Sequence, residues 1–221
     1  MPRGIVVFLG PSCERETAER ILPAEFRPPA ARGDIAAAAG SGARVIALID
    51  GVFFQECAVG HREILSALSR GIRVIGASSM GALRAAELDT LGMEGVGLIY
   101  RLYRDGTLVS DDEVALVYDP ETFAPLSEPL VNIRCTLRRA RESGILSRDE
   151  ARVLLESARS LYFPERTYPQ VCRQAEGRLS AEKCRRFLEF ARVHAVDQKR
   201  ADAIEALAVA RERAREAGVL G

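Results

Sequence analysis

Short apolar runs alternate with helix-like segments through the first hundred residues. Gly4-Ile-Val-Val-Phe-Leu-Gly10 reads as a buried strand closed by Gly10-Pro11-Ser12, and Glu14 to Leu22 follows as a helix with acidic residues at its start. After the turn at Arg27-Pro-Pro29, the small residues of Gly33 to Gly42 suggest a helix, and Ala43 to Asp50 a second buried strand. His61 to Arg70 places Ile64, Leu65 and Leu68 on one helical face, and the β-branched run Arg73 to Ala77 makes a third strand. Gly81-Ala-Leu-Arg-Ala-Ala-Glu-Leu88 is a strong helix former directly behind it.

Strands that are apolar throughout and alternate with helices predict a parallel sheet covered on both faces, since each crossover lays a helix against it. The expectation is an α/β fold, a Rossmann-like or doubly wound parallel sheet with flanking helices, followed by a helical C-terminal region. Beyond Gly92, Gly95 and Gly97 the alternation fades. From Glu128 the chain reads as helices over 130–143, 147–161, 180–196 and 197–217, with breaks at Gly144 and Pro164 and a capping box at Ser147-Arg-Asp-Glu150. This divides the chain into an α/β core over 1–125 and a helical region over 126–221.

In such a sheet, ligands collect at the carboxyl ends of the strands. Three loops fall on that edge: Gly10 to Cys13, Asp50 to Gly60 and Ala77 to Met80. The second carries Phe53 and Phe54, which suit either a substrate-facing flap or an apolar lid on the core.

Composition narrows the function classes. Of 221 residues, 31 are basic and 31 acidic, and no basic block or aromatic-interleaved stripe points to nucleic acid. No apolar run is long enough to span a bilayer and no signal-like start is present, so a cytoplasmic protein without membrane attachment is expected. Cys13, Cys57, Cys135, Cys172 and Cys184 show neither a disulfide framework nor metal-ligand spacing, so reduced thiols are expected and neither a metal nor a cofactor is indicated. Nearly all the positive charge is arginine, with lysine only at 183 and 199.

The third strand and its helix supply the most specific chemical signal. Ala77-x-Ser79-x-Gly81 has the form of a strand-to-helix elbow, in which small residues on either side let a strained central residue present a nucleophile. The amide of Met80, at the head of the helix, would face an oxyanion forming beside Ser79. Alternatively, Ser78 or Ser79 simply caps the helix. Of the two histidines, His61 starts a helix near the same edge and suits a general base, whereas His194 sits in a charged helix. Asp50, Glu63, Asp112 and Glu113 are the acids available to orient His61. Asp111-Asp-Glu113 itself fits a turn and cap better than a metal site. Cys57, four residues before His61, is either a partner in a sulfur relay or a small buried thiol. Gly10-Pro-Ser12 could cradle an anion, but no full phosphate-loop motif is present.

Phe8-Leu-Gly-Pro-Ser12, Asp50-Gly-Val-Phe53, Val59-Gly-His-Arg-Glu-Ile-Leu65, Gly76-Ala-Ser-Ser-Met-Gly-Ala-Leu-Arg-Ala-Ala-Glu87, Gly92-Met-Glu-Gly-Val-Gly97 and Asp111-Asp-Glu-Val-Ala115 occur in this order. Together they resemble the TfuA-like proteins. The resemblance covers the first half of the chain and is most specific in the string around Ser79. It implies a role in peptide-backbone thioamidation beside a YcaO protein, which activates the amide of a peptide substrate while sulfur comes from a thiocarboxylated ubiquitin-like carrier. Under this reading Ser79 attacks the thiocarboxylate with His61 as base, and Arg84 either holds a carboxylate or pairs with Glu87. His61-Arg-Glu63 matches the family's His-x-Glu element. A non-catalytic partner that recruits the carrier or activates YcaO is the alternative, and a nucleotide-binding module built on Gly10 to Cys13 is a third.

Overall fold

The computed structural model describes residues 4–53 and 57–221. Five parallel strands, β1 (Ile5–Phe8), β2 (Glu25–Arg27), β3 (Val45–Leu48), β4 (Arg73–Ala77) and β5 (Glu94–Val96), form one sheet in the order β2-β1-β3-β4-β5. Helices α1 (Arg15–Ile21), α2 (Asp34–Gly40), α3 (His61–Ser69), α4 (Met80–Leu88) and α5 (Gly97–Arg104) connect or follow the strands. The expected α/β class is the observed one. The hydropathy pattern did not mark β2 and β5: each is a three-residue strand at a sheet edge, with glutamate at its first position.

The central strands are apolar on both sides because both sides are covered. Ile5, Val7, Val45, Ala47, Ile75, Ala77 and Val96 point to one face, where they meet Ala18 and Leu22 of the α1 region. On the same face lies an alanine-rich stripe, Ala203, Ala206, Leu207, Ala210 and Ala214, of helix α10 (Gln198–Glu216). The alternate positions Val6, Phe8, Ile46, Leu48 and Val74 are buried on the other face. There α4 approaches so closely that a Cβ on Gly81 would stand 1.7 Å from the Leu48 carbonyl oxygen, and one on Gly76 would stand 2.2 Å from the Gly81 carbonyl oxygen. Glycine at both positions is therefore a packing requirement of the helix against the sheet.

The chain divides into two compact units. Residues 1–111 and 199–221 make the α/β unit, and residues 112–198 make the second. The sequence division at 125/126 grouped the last helix with the helical region. In the structure residues 199–221 cluster with the sheet instead, because their small residues fill the layer that α1 alone leaves incomplete. The second unit consists of α6 (Leu130–Glu142), α7 (Arg148–Ser160), α8 (Tyr168–Gln174) and α9 (Ala181–His194) around Leu130, Ile133, Leu137, Leu154, Val171 and Phe187. Its deepest polar anchor is Arg166, fully buried, whose guanidinium donates to both carboxylate oxygens of Asp112 and to the carbonyls of Ala158 and Leu161. Among the described residues no helix is long and apolar enough to cross a membrane.

Candidate functional site

The strand order reverses its direction of growth between β1 and β3, with β2 to one side and β4 and β5 to the other. In doubly wound sheets the carboxyl ends flanking that reversal form the natural ligand crevice. The loop after β1 and the residue two beyond β3 meet there. Asp50 Oδ2 accepts from the backbone N–H groups of Gly10 (2.9 Å) and Ser12 (3.1 Å), and its Oδ1 accepts from the Ser12 hydroxyl at 2.7 Å.

A second hydroxyl extends this chain. Ser78 and Ser12 are hydrogen-bonded through their Oγ atoms at 2.8 Å. A carboxylate only accepts, so the Ser12 proton points to Asp50 and the Ser12 lone pair is left for the Ser78 proton. The result is a directional relay, Ser78 to Ser12 to Asp50, with all three residues 2% exposed or less. Lys199, from the first turn of α10, is equally buried and brings its Nζ to 4.0 Å from Asp50 Oδ1. Three residues further along α10, Asp202 accepts the Ile99 N–H at 2.7 Å and so caps α5. Gly97, at φ +92°, has no room for a Cβ beside the Asp202 carboxyl.

The elbow is present, but its strained residue is Ser78. Ser78 has φ +65°, one of two non-glycine residues with positive φ among those described, and the Ser79 N–H reaches back across it to the Ala77 carbonyl at 2.7 Å. Such backbone geometry in a non-glycine residue costs on the order of 1–3 kcal/mol and persists where the surroundings dictate it. The sequence reading centred the elbow on Ser79, with Ala77 and Gly81 as its small flanks. Because α4 begins at Met80, Ser79 becomes the N-cap and the sharp turn falls one residue earlier. Two positions before Ser78 stands Gly76, but two positions after it stands the larger, buried Met80; Gly81 is kept small by its contact with the Leu48 carbonyl. Ser79 is also buried, yet its hydroxyl caps nothing and makes no hydrogen bond among the described residues. The Met80 amide heads α4, one of the N–H groups that helical geometry leaves without an intrahelical acceptor.

The remaining candidates sort differently from the sequence expectation. His61 opens α3 with its side chain half exposed, and its Nε2 lies 2.7 Å from Glu87 Oε2 near the far end of α4. It makes no hydrogen bond to Ser79, Ser78 or Asp50. Arg84 donates to the Val59 carbonyl (2.8 Å) and to the same Glu87 oxygen (2.7 Å), the intrahelical pairing that the sequence allowed. Glu63 does not orient His61. Its Oε1 accepts the Gly60 N–H (2.8 Å), and its Oε2 accepts those of Gly33 (3.0 Å) and Ile35 (3.1 Å), so it ties the starts of α2 and α3 together. Two residues apart on a helix, His61 and Glu63 point in different directions.

Asp112 and Glu113, the other acids considered for His61, belong to the second unit and bind Arg166 and Arg134. No disulfide forms among the described residues, and Cys57 is exposed and not bonded to His61. Phe53 is half-buried, whereas Phe54 lies outside the described residues.

Lys199 is the site residue that the sequence reading passed over. Two signals pointed to it: it is one of only two lysines in an arginine-rich chain, and it shares with Asp202 the helical face that Ala203, Ala206 and Ala210 mark as buried.

A search of curated proteins found no match to this chain. A family model for TfuA-like proteins matches residues 50–167, more than half of the chain and a span that holds Asp50, His61, the elbow and Arg166. The strand-to-helix elbow at Ser78 and its carboxylate partner Asp50 thus lie on a chain that belongs to the TfuA-like family.

Proposed function

We propose that this protein is an accessory of YcaO-dependent peptide-backbone thioamidation that releases sulfur from a thiocarboxylated ubiquitin-like carrier by serine-based hydrolysis. The observation that carries the reading is the buried relay from Ser78 through Ser12 to Asp50 at the head of α4. It supplies what a serine nucleophile needs: a strained, fixed hydroxyl, an acceptor already aligned with its proton, and a helix N-terminus for the developing oxyanion.

In this scheme Ser78 Oγ attacks the thiocarboxylate carbon while its proton passes to Ser12, and the Ser12 proton moves toward Asp50. The tetrahedral intermediate collapses by breaking the carbon–sulfur bond. Hydrosulfide leaves with the relayed proton, and an ester joins the carrier to Ser78. Water then cleaves that ester, its hydroxyl going to the carrier's carboxylate and a proton restoring Ser78. The freed sulfide serves the YcaO protein acting on the peptide substrate. His61 has no part in these steps, since among the described residues it makes no hydrogen bond to Ser78, Ser12 or Asp50 and its one side-chain partner is Glu87.

The test is sulfide release from a thiocarboxylated carrier by wild type, Ser78→Ala, Ser79→Ala, Ser12→Ala and His61→Ala. Loss of about 100-fold or more is expected for Ser78→Ala, a smaller loss for Ser12→Ala, and near-normal release for His61→Ala. Full release by Ser78→Ala together with loss in Ser79→Ala would return the nucleophile to Ser79. Undiminished release by both serine variants would remove the hydrolytic role.

The near-complete burial of Ser78, Ser12 and Asp50 favours a second reading, in which the relay only stiffens the elbow and the protein is a non-catalytic YcaO partner. Unchanged stimulation of YcaO by Ser78→Ala, in the absence of any sulfide release, would support that reading.

A further inference from the structure

The second unit carries a groove that the proposed chemistry does not use. Helices α6 and α7 are joined by a short connection, so they run antiparallel, and their outer faces enclose a cavity of about 290 Å3. Its walls hold five arginines, Arg134, Arg138 and Arg141 from α6 and Arg148 and Arg152 from α7, and no carboxylate. The spacing is helical on both sides, so each row stands on one face of its helix.

Two of the five are already neutralised. Glu113 grips Arg134 through two bonds of 2.7 and 2.6 Å, and Arg152 pairs with Asp149 and Glu156. Arg138, Arg141 and Arg148 are exposed and form no ion pair or hydrogen bond among the described residues. In a chain whose charges cancel overall, three unpaired guanidiniums on one groove concentrate positive charge, and their mutual repulsion works against folding. An anionic partner converts that cost into attraction, because guanidinium forks match carboxylates bidentately.

The floor narrows the partner further. Leu137, Ala151 and Leu155 line the groove between the arginines, so an occupant must offer apolar side chains as well as negative charge. No aromatic side chain lines it, which leaves nucleic-acid bases without a stacking platform.

We propose that the α6–α7 groove docks an acidic peptide segment, its carboxylates engaging Arg138, Arg141 and Arg148 and its apolar residues resting on the half-buried Ala151 and Leu155. This surface lies outside the relay, so its role stands or falls independently of sulfide release.

The test is fluorescence anisotropy with the full chain and a labelled peptide of alternating glutamate and leucine, beside the glutamine-for-glutamate peptide and a single-stranded DNA oligonucleotide of equal length. Binding of the acidic peptide should weaken at least about tenfold in Arg138→Glu/Arg141→Glu/Arg148→Glu, and it should fall steeply with added salt. Arg138→Gln/Arg141→Gln/Arg148→Gln serves if the reversal misfolds, with the same direction expected. Equal affinity for the glutamine peptide, tighter binding of the DNA, or affinity unchanged in either triple variant would overturn the proposal.

Discussion

Asp50→Asn removes one charge from the relay while keeping its shape. The amide oxygen can still accept the Gly10 and Ser12 N–H groups, but its NH2 then meets Ser12 Oγ where an acceptor stood. Either two donors face each other, or the Ser12 hydroxyl turns toward Ser78 and takes away that residue's acceptor. Three charge-assisted bonds at 2.7–3.1 Å are weakened or lost, which at about 1 kcal/mol each amounts to ~3 kcal/mol. Lys199 also loses a carboxylate 4.0 Å away. At an effective dielectric of about 20, that attraction is worth about 4 kcal/mol, part of it offset because the buried carboxylate no longer has to be stripped of water.

The expectation is therefore a cost of about 4–5 kcal/mol for Asp50→Asn, against about 1–2 kcal/mol for Ser12→Ala. Asp50→Asn/Lys199→Met should cost less than the sum of its single changes by about 2–4 kcal/mol. Urea denaturation followed by circular dichroism reads wild type and all four variants, with equal slopes required for comparison. A coupling below about 0.5 kcal/mol would refute the claim that Asp50 and Lys199 form one electrostatic unit.

Three further outcomes follow from particular contacts. Burial, with the charge of Asp197 adding to it, raises the Glu128 carboxyl above its usual 4.5, so the folded state holds a proton there that the unfolded state releases. Stability from this residue is present at low pH and is lost as pH rises through the raised value. Thermal melts of Glu128→Gln should lose that decline and exceed wild type on the alkaline side. Gly81→Ala drives a methyl into the Leu48 carbonyl and should destabilise the α/β unit by about 3 kcal/mol or more, measured by the same urea method. Glu63→Ala removes the acceptor of three N–H groups and should cost about 1–3 kcal/mol, while the proposed sulfide release, per folded molecule, should equal that of wild type.

The sheet was legible wherever strands are buried on both faces, because β1, β3 and β4 leave unbroken apolar runs. Glu25-Phe-Arg27 and Glu94-Gly-Val96 escaped notice since an edge strand needs only one covered side and three residues carry no periodicity. That the loops after β1, β3 and β4 share an edge followed from the alternation itself, and Gly10, Ser12, Asp50 and Ser78 do meet there. Which of two adjacent serines takes the strained turn depends on where α4 starts, and that is set by Gly81 seating against β3, a contact between residues far apart in the chain. Lys199 is separated from Asp50 by the whole second unit, so no local pattern joins them. The pairing of His61 with Glu87 rather than Glu63 likewise depends on how α3 and α4 lie side by side.

The alanine face of α10 also sets an order for biogenesis. Synthesis runs from the N-terminus, so β1 to β5 emerge long before residues 203–214 exist to cover them, and the intervening residues 112–198 are made first. Until then Ile5, Val7, Val45 and Ala47 have only α1 above them, and Asp50 has no lysine beside it. The second unit has its own core and can close while the sheet waits. The α/β unit is therefore the late-folding, high-contact-order part of the molecule, the part most exposed to edge pairing and chaperone capture during translation.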